Sequence, residues 1–344
     1  MSRKSRRTRR KTTESSSALF KKLLILILLL CTAAAVYFFN WAKEPITTSG
    51  EPIAFTIQPG SSVVTAAQEI ADAGVPVNPY MLSLLARATQ TASKIKAGSY
   101  ELKPNTSPRR LLDQLVRGEF AQESLTIIEG WTFKQMRQAV AANKGLKHDT
   151  AGLSDTELLA SITTDYKAAE GLFFPDTYLF AKGSSDMQIY KQAHTLMMSR
   201  LGAAWEKRDP SLPYENPYQA LVMASIVEKE TGQKSERAMI AGVFVNRLRL
   251  GMMLQTDPTV IYGMGDKYAG NIRKRDLETD TPYNTYTRTG LPPTPIALPG
   301  VQSLAAALGP AKTDALYFVA RKDGTSQFSS NLSDHNRAVN QYQR

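Results

Sequence analysis

The chain has 344 residues, a formal net charge of +11 and one cysteine, enough length for a membrane segment and two soluble domains. The charge is lopsided: residues 1–22 hold nine Lys or Arg against Glu14 alone, a net of +8 that leaves +3 for everything after. A nearly neutral body has no basic face for nucleic acid, which is therefore excluded as a partner.

After the basic tail (residues 1–22), Leu23–Phe39 is unbroken by charge and Trp41 follows it. The stretch 23–41 is long enough to span a bilayer as a helix, with its N-terminus cytoplasmic and an interfacial aromatic anchor. Small residues at Ala33–Ala35 also leave room for a cleavable signal peptide, although Val36–Phe39 carries the apolar run through them. Leu30 before Cys31 disfavours a lipoprotein. Cys31 lies in the hydrophobic segment, so the soluble part has neither a disulfide nor a thiolate metal site.

Residues 42–51 read as a short polar linker. Three strand–turn–helix units follow. The first has Phe55 and Ile57 alternating, Pro59-Gly60 turning and Ser61 or Ser62 capping. The second runs from Gly98–Leu102 into a helix opened by Thr106-Ser107-Pro108, and the third from Leu125–Ile128 through Gly130 to Thr132 as cap. Residues 144–169 are polar and helical in character. The aromatics of Glu170–Tyr178 could stack on sugar rings, but Phe173 and Phe174 read as core. Met187–Lys207 is an amphipathic helix.

The run LVMASIVEKET (Leu221–Thr231) has no internal Gly or Pro and reads as a helix with Gly232 as its C′ residue. At about 100° per residue, Val222, Met223, Ile226 and Val227 form an apolar stripe, with Glu230 near its middle and Glu228 roughly opposite, more exposed. A carboxyl in apolar surroundings, at the negative end of a helix, has its pKa raised, and so suits a general acid. The alternative is a cap-region residue paired to Arg237 or Arg247. Ser235 reads as the cap of a helix over Glu236–Leu250, ended by Gly251, whose Ile240, Val243, Phe244 and Leu248 pack on the Val222/Ile226 helix. Gln255, Thr256 and Asp257 form a polar knot suited to N-acetyl and hydroxyl groups, although Asp257 could simply cap the segment after it. Tyr283–Pro299 suits a groove wall, with Asn284 and Tyr286 as substrate contacts. Val301–Leu308 is a short helix, Ala315–Ser329 a hairpin around Asp323-Gly324, and the end a polar helix containing His335. His148, His194 and His335 have no metal-ligand spacing, so no metal is expected.

The run Ser225–Thr231 resembles the Ala-Ile-x-x-x-Glu-Ser pattern around the catalytic glutamate of lytic transglycosylases, with Thr231 in place of the serine. The chain is similar, more specifically, to the YceG-like (MltG) family of endolytic murein transglycosylases. The matching blocks are Glu170-Gly171 with Phe173–Tyr178, then Ala224–Thr231, Val243–Met252, Leu254–Gly263 and Tyr283–Pro293. The resemblance implies an α+β chain: a transmembrane helix, a small LysM-like βααβ module over 52–118, and a larger mixed α+β catalytic domain over 119–344.

It also implies Glu230 as the catalytic residue and no cofactor, beside Gln255, Asp257, Asn284 and Tyr286 as the substrate contacts read from the residues themselves. In that chemistry one glutamate protonates the glycosidic oxygen between N-acetylmuramic acid and N-acetylglucosamine. It then takes the proton of the muramic C6 hydroxyl as that oxygen attacks its own C1, leaving a 1,6-anhydro end. The implied setting is the inner (cytoplasmic) membrane, with the catalytic domain outside the cytoplasm, acting on nascent peptidoglycan strands beside peptidoglycan synthases as possible partners. Two other readings stand against it. One is a muramidase-type hydrolase with Glu228 or Asp257 as second carboxylate; the other is a non-catalytic scaffold that binds peptidoglycan.

Overall fold

The computed structural model describes residues 9–48 and 51–343, so the start of the basic tail and Ser49-Gly50 of the linker lie outside the described residues. The chain divides into two compact units, 1–122 and 123–344.

The first unit opens with helix α1 (Arg9–Trp41). Its stretch Phe20–Trp41, with a mean hydropathy of 2.4, is long and apolar enough to cross a membrane; Leu23–Leu30 lie open around it. Strand β1 (Ile53–Ile57), helices α2 (Val63–Asp72) and α3 (Pro79–Ala88), strand β2 (Gly98–Leu102) and helix α4 (Pro108–Arg117) follow. The two strands pair antiparallel, Ile53 opposite Leu102 and Ile57 opposite Gly98.

Local chemistry sets the ends of these helices. The Ser62 hydroxyl accepts from Thr65 N–H at the start of α2, and the Ser107 hydroxyl accepts from Arg110 N–H before Pro108, a residue suited to the first helical turn. Phe55, Ile57, Ile70, Tyr100, Leu102, Leu111 and Leu115 close the core. The polar segment after α1 packs against this unit: Ala42 and Ile46 are buried, Ile46 N–H donates to Thr106 O and Arg109 N–H to Ala42 O.

In the second unit, β3 (Gln122–Thr126) pairs with β4 (Thr177–Ala181). Helices α5 (Phe133–Ala142), α6 (Asp155–Ala160), α7 (Asp186–Glu206), α8 (Pro217–Glu230), α9 (Arg237–Arg249), α10 (Asp257–Met264) and α12 (Val301–Leu308) surround a common core, and the short α11 (Lys274–Glu278) lies outside it. A hairpin of β5 (Tyr317–Ala320) and β6 (Ser326–Ser329) precedes α13 (Leu332–Tyr342).

Helix α8 is the axis of this unit. Asn216 accepts from Gln219 N–H and Pro217 fills the first helical position. Every residue from Ala220 to Val227 is buried, with α7, α9, α10 and α12 packed around them. The apolar stripe expected from periodicity is thus a helix enclosed on all sides, which its run of apolar and small residues permits. Ile240, Phe244 and Leu248 of α9 share the core with Val222 and Ile226. Phe173 and Phe174 are core as well.

Three local expectations differ. Residues 144–169 form only the six-residue α6, between turns, because Ser154 and Glu157 close a capping box that starts a helix there and nowhere earlier. Ser235 does not cap α9: it sits in a 3₁₀ turn, and Glu236 at the N-cap position accepts from Ser326 N–H and Oγ. Thr231 leaves α8 in an extended conformation (φ −141°), so Gly232 makes no left-handed cap.

Ser225 joins α8 to the segment before α12. Its hydroxyl donates to Val222 O at 2.7 Å and accepts from Ile296 N–H at 3.0 Å. Ser225→Ala leaves the buried Ile296 amide unpaired, so urea denaturation should show a loss of about 1–3 kcal/mol.

Candidate active site

Glu228 and Glu230 sit in the last turn of α8, and their surroundings give them opposite characters. The Glu228 carboxylate accepts from Arg237 Nη2 at 2.9 Å, Gly300 N–H at 3.0 Å and Ser303 Oγ at 2.7 Å. Its side chain is 5% exposed, so the more exposed position expected from the helical wheel is replaced by a buried ion pair. Arg237, one of two arginines proposed for Glu230, is thereby taken. Breaking such a pair costs about 3–5 kcal/mol, which marks Glu228 as a structural group.

Glu230 opens into a groove of about 880 Å³ between Gln255, Asp257, Tyr286, Arg247 and the β5–β6 hairpin. Among the described residues no direct ion pair reaches its carboxyl. Its one hydrogen-bond partner among the described residues is Thr256, whose hydroxyl donates to Oε2 at 2.6 Å. Burial pushes the Glu230 pKa up; the Thr256 bond opposes this, the charge of Asp257 adds to it and that of Arg247 opposes it. The helix end contributes in the same direction as burial.

Arg247 is held as a fixed positive group rather than as a partner. It donates to the carbonyls of Leu316, Leu254 and Met253 and lies 5.1 Å over the Tyr317 ring.

The polar knot forms as a knot of backbone and hydroxyls. Thr256 N–H donates to Thr285 Oγ1, Gln255 N–H to Thr285 O, and the Thr259 and Thr285 hydroxyls lie 2.8 Å apart. Gln255 adopts φ +50°, an uncommon backbone for a side-chain-bearing residue, and its side chain is exposed at the groove. Asp257 opens α10 and accepts from Tyr286 Oη at 2.6 Å. Burial, with that bond, raises the Tyr286 pKa.

Four of the five site residues read from the sequence, Glu230, Gln255, Asp257 and Tyr286, line the one groove. Asn284 does not. It is 1% exposed; its amide donates to the carbonyls of Thr279, Leu277 and Asp276, and its oxygen accepts from Tyr286 N–H. It fixes the loop that presents Tyr286 and has no surface for a ligand. Among the described residues no three His, Cys, Asp or Glu side chains gather as metal ligands.

Two further groups belong to this assembly. Thr256 was legible as part of the knot but not as the partner of Glu230. Glu170 is a further buried carboxyl, which accepts from Phe133 N–H at 3.0 Å and Tyr262 Oη at 3.1 Å. Burial pushes its pKa up to about 7. The following Gly171 has φ +80°, and a Cβ there would stand 2.4 Å from Pro295 Cβ.

The Thr256 hydroxyl stabilises the ionised form of Glu230, so its removal raises the carboxyl pKa further. Thr256→Val should move the alkaline limb of the pH–activity profile, where Glu230 loses its proton, to higher pH. An unmoved limb would contradict the assignment.

Comparison with known proteins places this arrangement. A model of the YceG-like family matches residues 55–341. A Bacillus subtilis protein named endolytic murein transglycosylase is 34% identical over 270 residues, covering 73% of this chain and 74% of its own length. A Streptococcus pneumoniae protein of the same name is 28% identical over 317 residues, covering 82% of this chain; the chain spans only 57% of that relative. The crystal structure of a yceG-like protein from Listeria monocytogenes superposes with a TM-score of 0.53 at 32% identity, covering 84% of this chain and 100% of its own. With its family match extending over most of its length, the chain belongs to the YceG-like family.

Proposed function

We propose that this protein is a membrane-anchored endolytic lytic transglycosylase that cuts the bond between N-acetylmuramic acid and N-acetylglucosamine in peptidoglycan strands. The observation that carries the reading is a desolvated Glu230 in a groove, with a raised pKa and no ion-pair partner among the described residues. The relatives named endolytic murein transglycosylases support the same substrate.

Glu230 begins protonated and gives its proton to the glycosidic oxygen. As the C1–O bond breaks, the leaving sugar departs with that proton. The C6 hydroxyl then closes on C1 and returns its proton to Glu230, so no water is consumed. The intramolecular attacker supplies the proximity that a second carboxylate and an ordered water provide in hydrolases. Glu228 cannot act as that second carboxylate, because its oxygens are held by Arg237, Gly300 and Ser303. Asp257, exposed beside the groove, supplies negative charge for the positive charge that develops on the sugar. Gln255, Asp257 and Tyr286 hold the N-acetyl and hydroxyl groups, and Asn284 fixes the loop beneath them.

Residues 52–118 serve as a LysM-like glycan-binding module, a reading supported by their β–α–α–β order and the antiparallel β1–β2 pair. Residues 119–344 are the catalytic domain. The chain crosses the inner membrane once, with its N-terminus cytoplasmic. The tether confines cutting to glycan near its site of synthesis, where termination of nascent strands beside synthases is the natural role.

Mass spectrometry of strands digested by the full-length protein tests this. Wild type should release 1,6-anhydromuramic ends and Glu230→Gln none, a loss of about 10²-fold or more. Reducing ends formed by water would establish the hydrolase reading instead.

A further inference from the structure

We infer that Glu170 is a positioning residue for Glu230: through Tyr262 it fixes helix α10, and with it the Thr256 hydroxyl that orients the catalytic carboxyl. The inference rests on the transglycosylase reading of the groove.

The chain of contacts is short and specific. Glu170 is 7% exposed and floors a second cleft of about 830 Å³, lined also by Tyr262, Tyr283 and Lys134. One carboxylate oxygen accepts from Phe133 N–H at the start of α5, the other from Tyr262 Oη on α10. The Tyr262 ring meets Tyr283 edge-on at 4.8 Å. Tyr283 begins the loop whose Thr285 accepts from Thr256 N–H and whose Tyr286 donates to Asp257. The residue immediately before α10 is Thr256, which donates to Glu230. Glu170 therefore holds both walls of the catalytic groove from behind, without lining that groove itself.

Only the ionised carboxylate can accept from both donors at full strength; once protonated, it must place a proton of its own. The charges around it are Asp155 of α6, paired with Arg137 of α5; Lys134 of α5, paired with Asp266; Lys167 beside α6; and the phenols of Tyr218, Tyr262 and Tyr283. None of the lysines, arginines or aspartates pairs directly with Glu170, and the Tyr262 hydrogen bond only partly offsets desolvation, so burial dominates and the group titrates near neutrality. The activity profile thus has an acid limb set by Glu170 and an alkaline limb set by Glu230. Stability runs the other way: a raised carboxyl pKa favours the protonated fold at low pH, and that contribution is lost as pH rises toward 7.

The test uses full-length protein in detergent with soluble, uncrosslinked glycan strands, comparing wild type, Glu170→Gln, Tyr262→Phe and the double variant across pH. Glu170→Gln should lower kcat about tenfold, leave KM unchanged and abolish the acid limb. Its Tm should gain on that of wild type as pH rises from about 5 to about 8, so that the lost activity is not lost folding. Tyr262→Phe should match its loss of kcat, and the double variant should be no worse than either. The Glu230 carboxyl, followed by ¹³C NMR, should titrate at higher pH in Glu170→Gln, a readout independent of turnover.

An effect confined to KM would place Glu170 on substrate and overturn the inference. Additive variants, or an unchanged acid limb and Glu230 titration, would also overturn it. Absence of turnover in wild type, with the Glu230 titration still shifted by Glu170→Gln, would defeat the transglycosylase reading and leave the coupling standing.

Discussion

Desolvation of the Glu230 carboxyl is the constraint on which the proposed chemistry of the second unit depends. A carboxyl group in water ionises well below neutrality and cannot act as an acid there; taking it out of water reverses that preference. Such burial requires a rigid apolar surround, which α8 supplies by being enclosed along its length from Ala220 to Val227. Helices α7, α9, α10 and α12 pack about it, and the Ser225–Ile296 bond ties the segment before α12 to the same axis.

The two glutamates of α8 show how neighbours divide identical chemistry. Glu228 meets a guanidinium, a backbone amide and a hydroxyl, and is neutralised in place. Glu230 meets one hydroxyl. The first is a pinned structural ion; the second, with its pKa raised by burial, is the group we propose as proton donor. This division removes Glu228 as a second carboxylate for hydrolysis.

Much of this was legible in the sequence wherever local chemistry decides. Ser62, Ser107 and Thr132 cap helices where they were expected to, since each hydroxyl bonds an amide three residues on. The knot at Gln255–Asp257 and the wall at Tyr286 were readable from clustered polar and aromatic residues. What was not readable depends on distant pairing. Glu228 is buried because Arg237, Gly300 and Ser303 converge on it, and Asn284 is consumed by carbonyls of its own loop. A helical wheel contains none of this. Ser235 failed as a cap because Glu236, one residue later, is drawn to the β5–β6 hairpin. The Thr256–Glu230 bond spans 26 positions, beyond any local pattern.

The most direct measurement is the titration of Glu230 itself in the wild-type protein, by ¹³C NMR of glutamate side-chain carboxyls with Glu230→Gln to assign the signal. A midpoint clearly above the ordinary glutamate value of about 4.3 is the predicted result. A midpoint at or below that value would mean that the carboxyl is ionised at neutral pH, and would contradict the account of Glu230 as the proton donor.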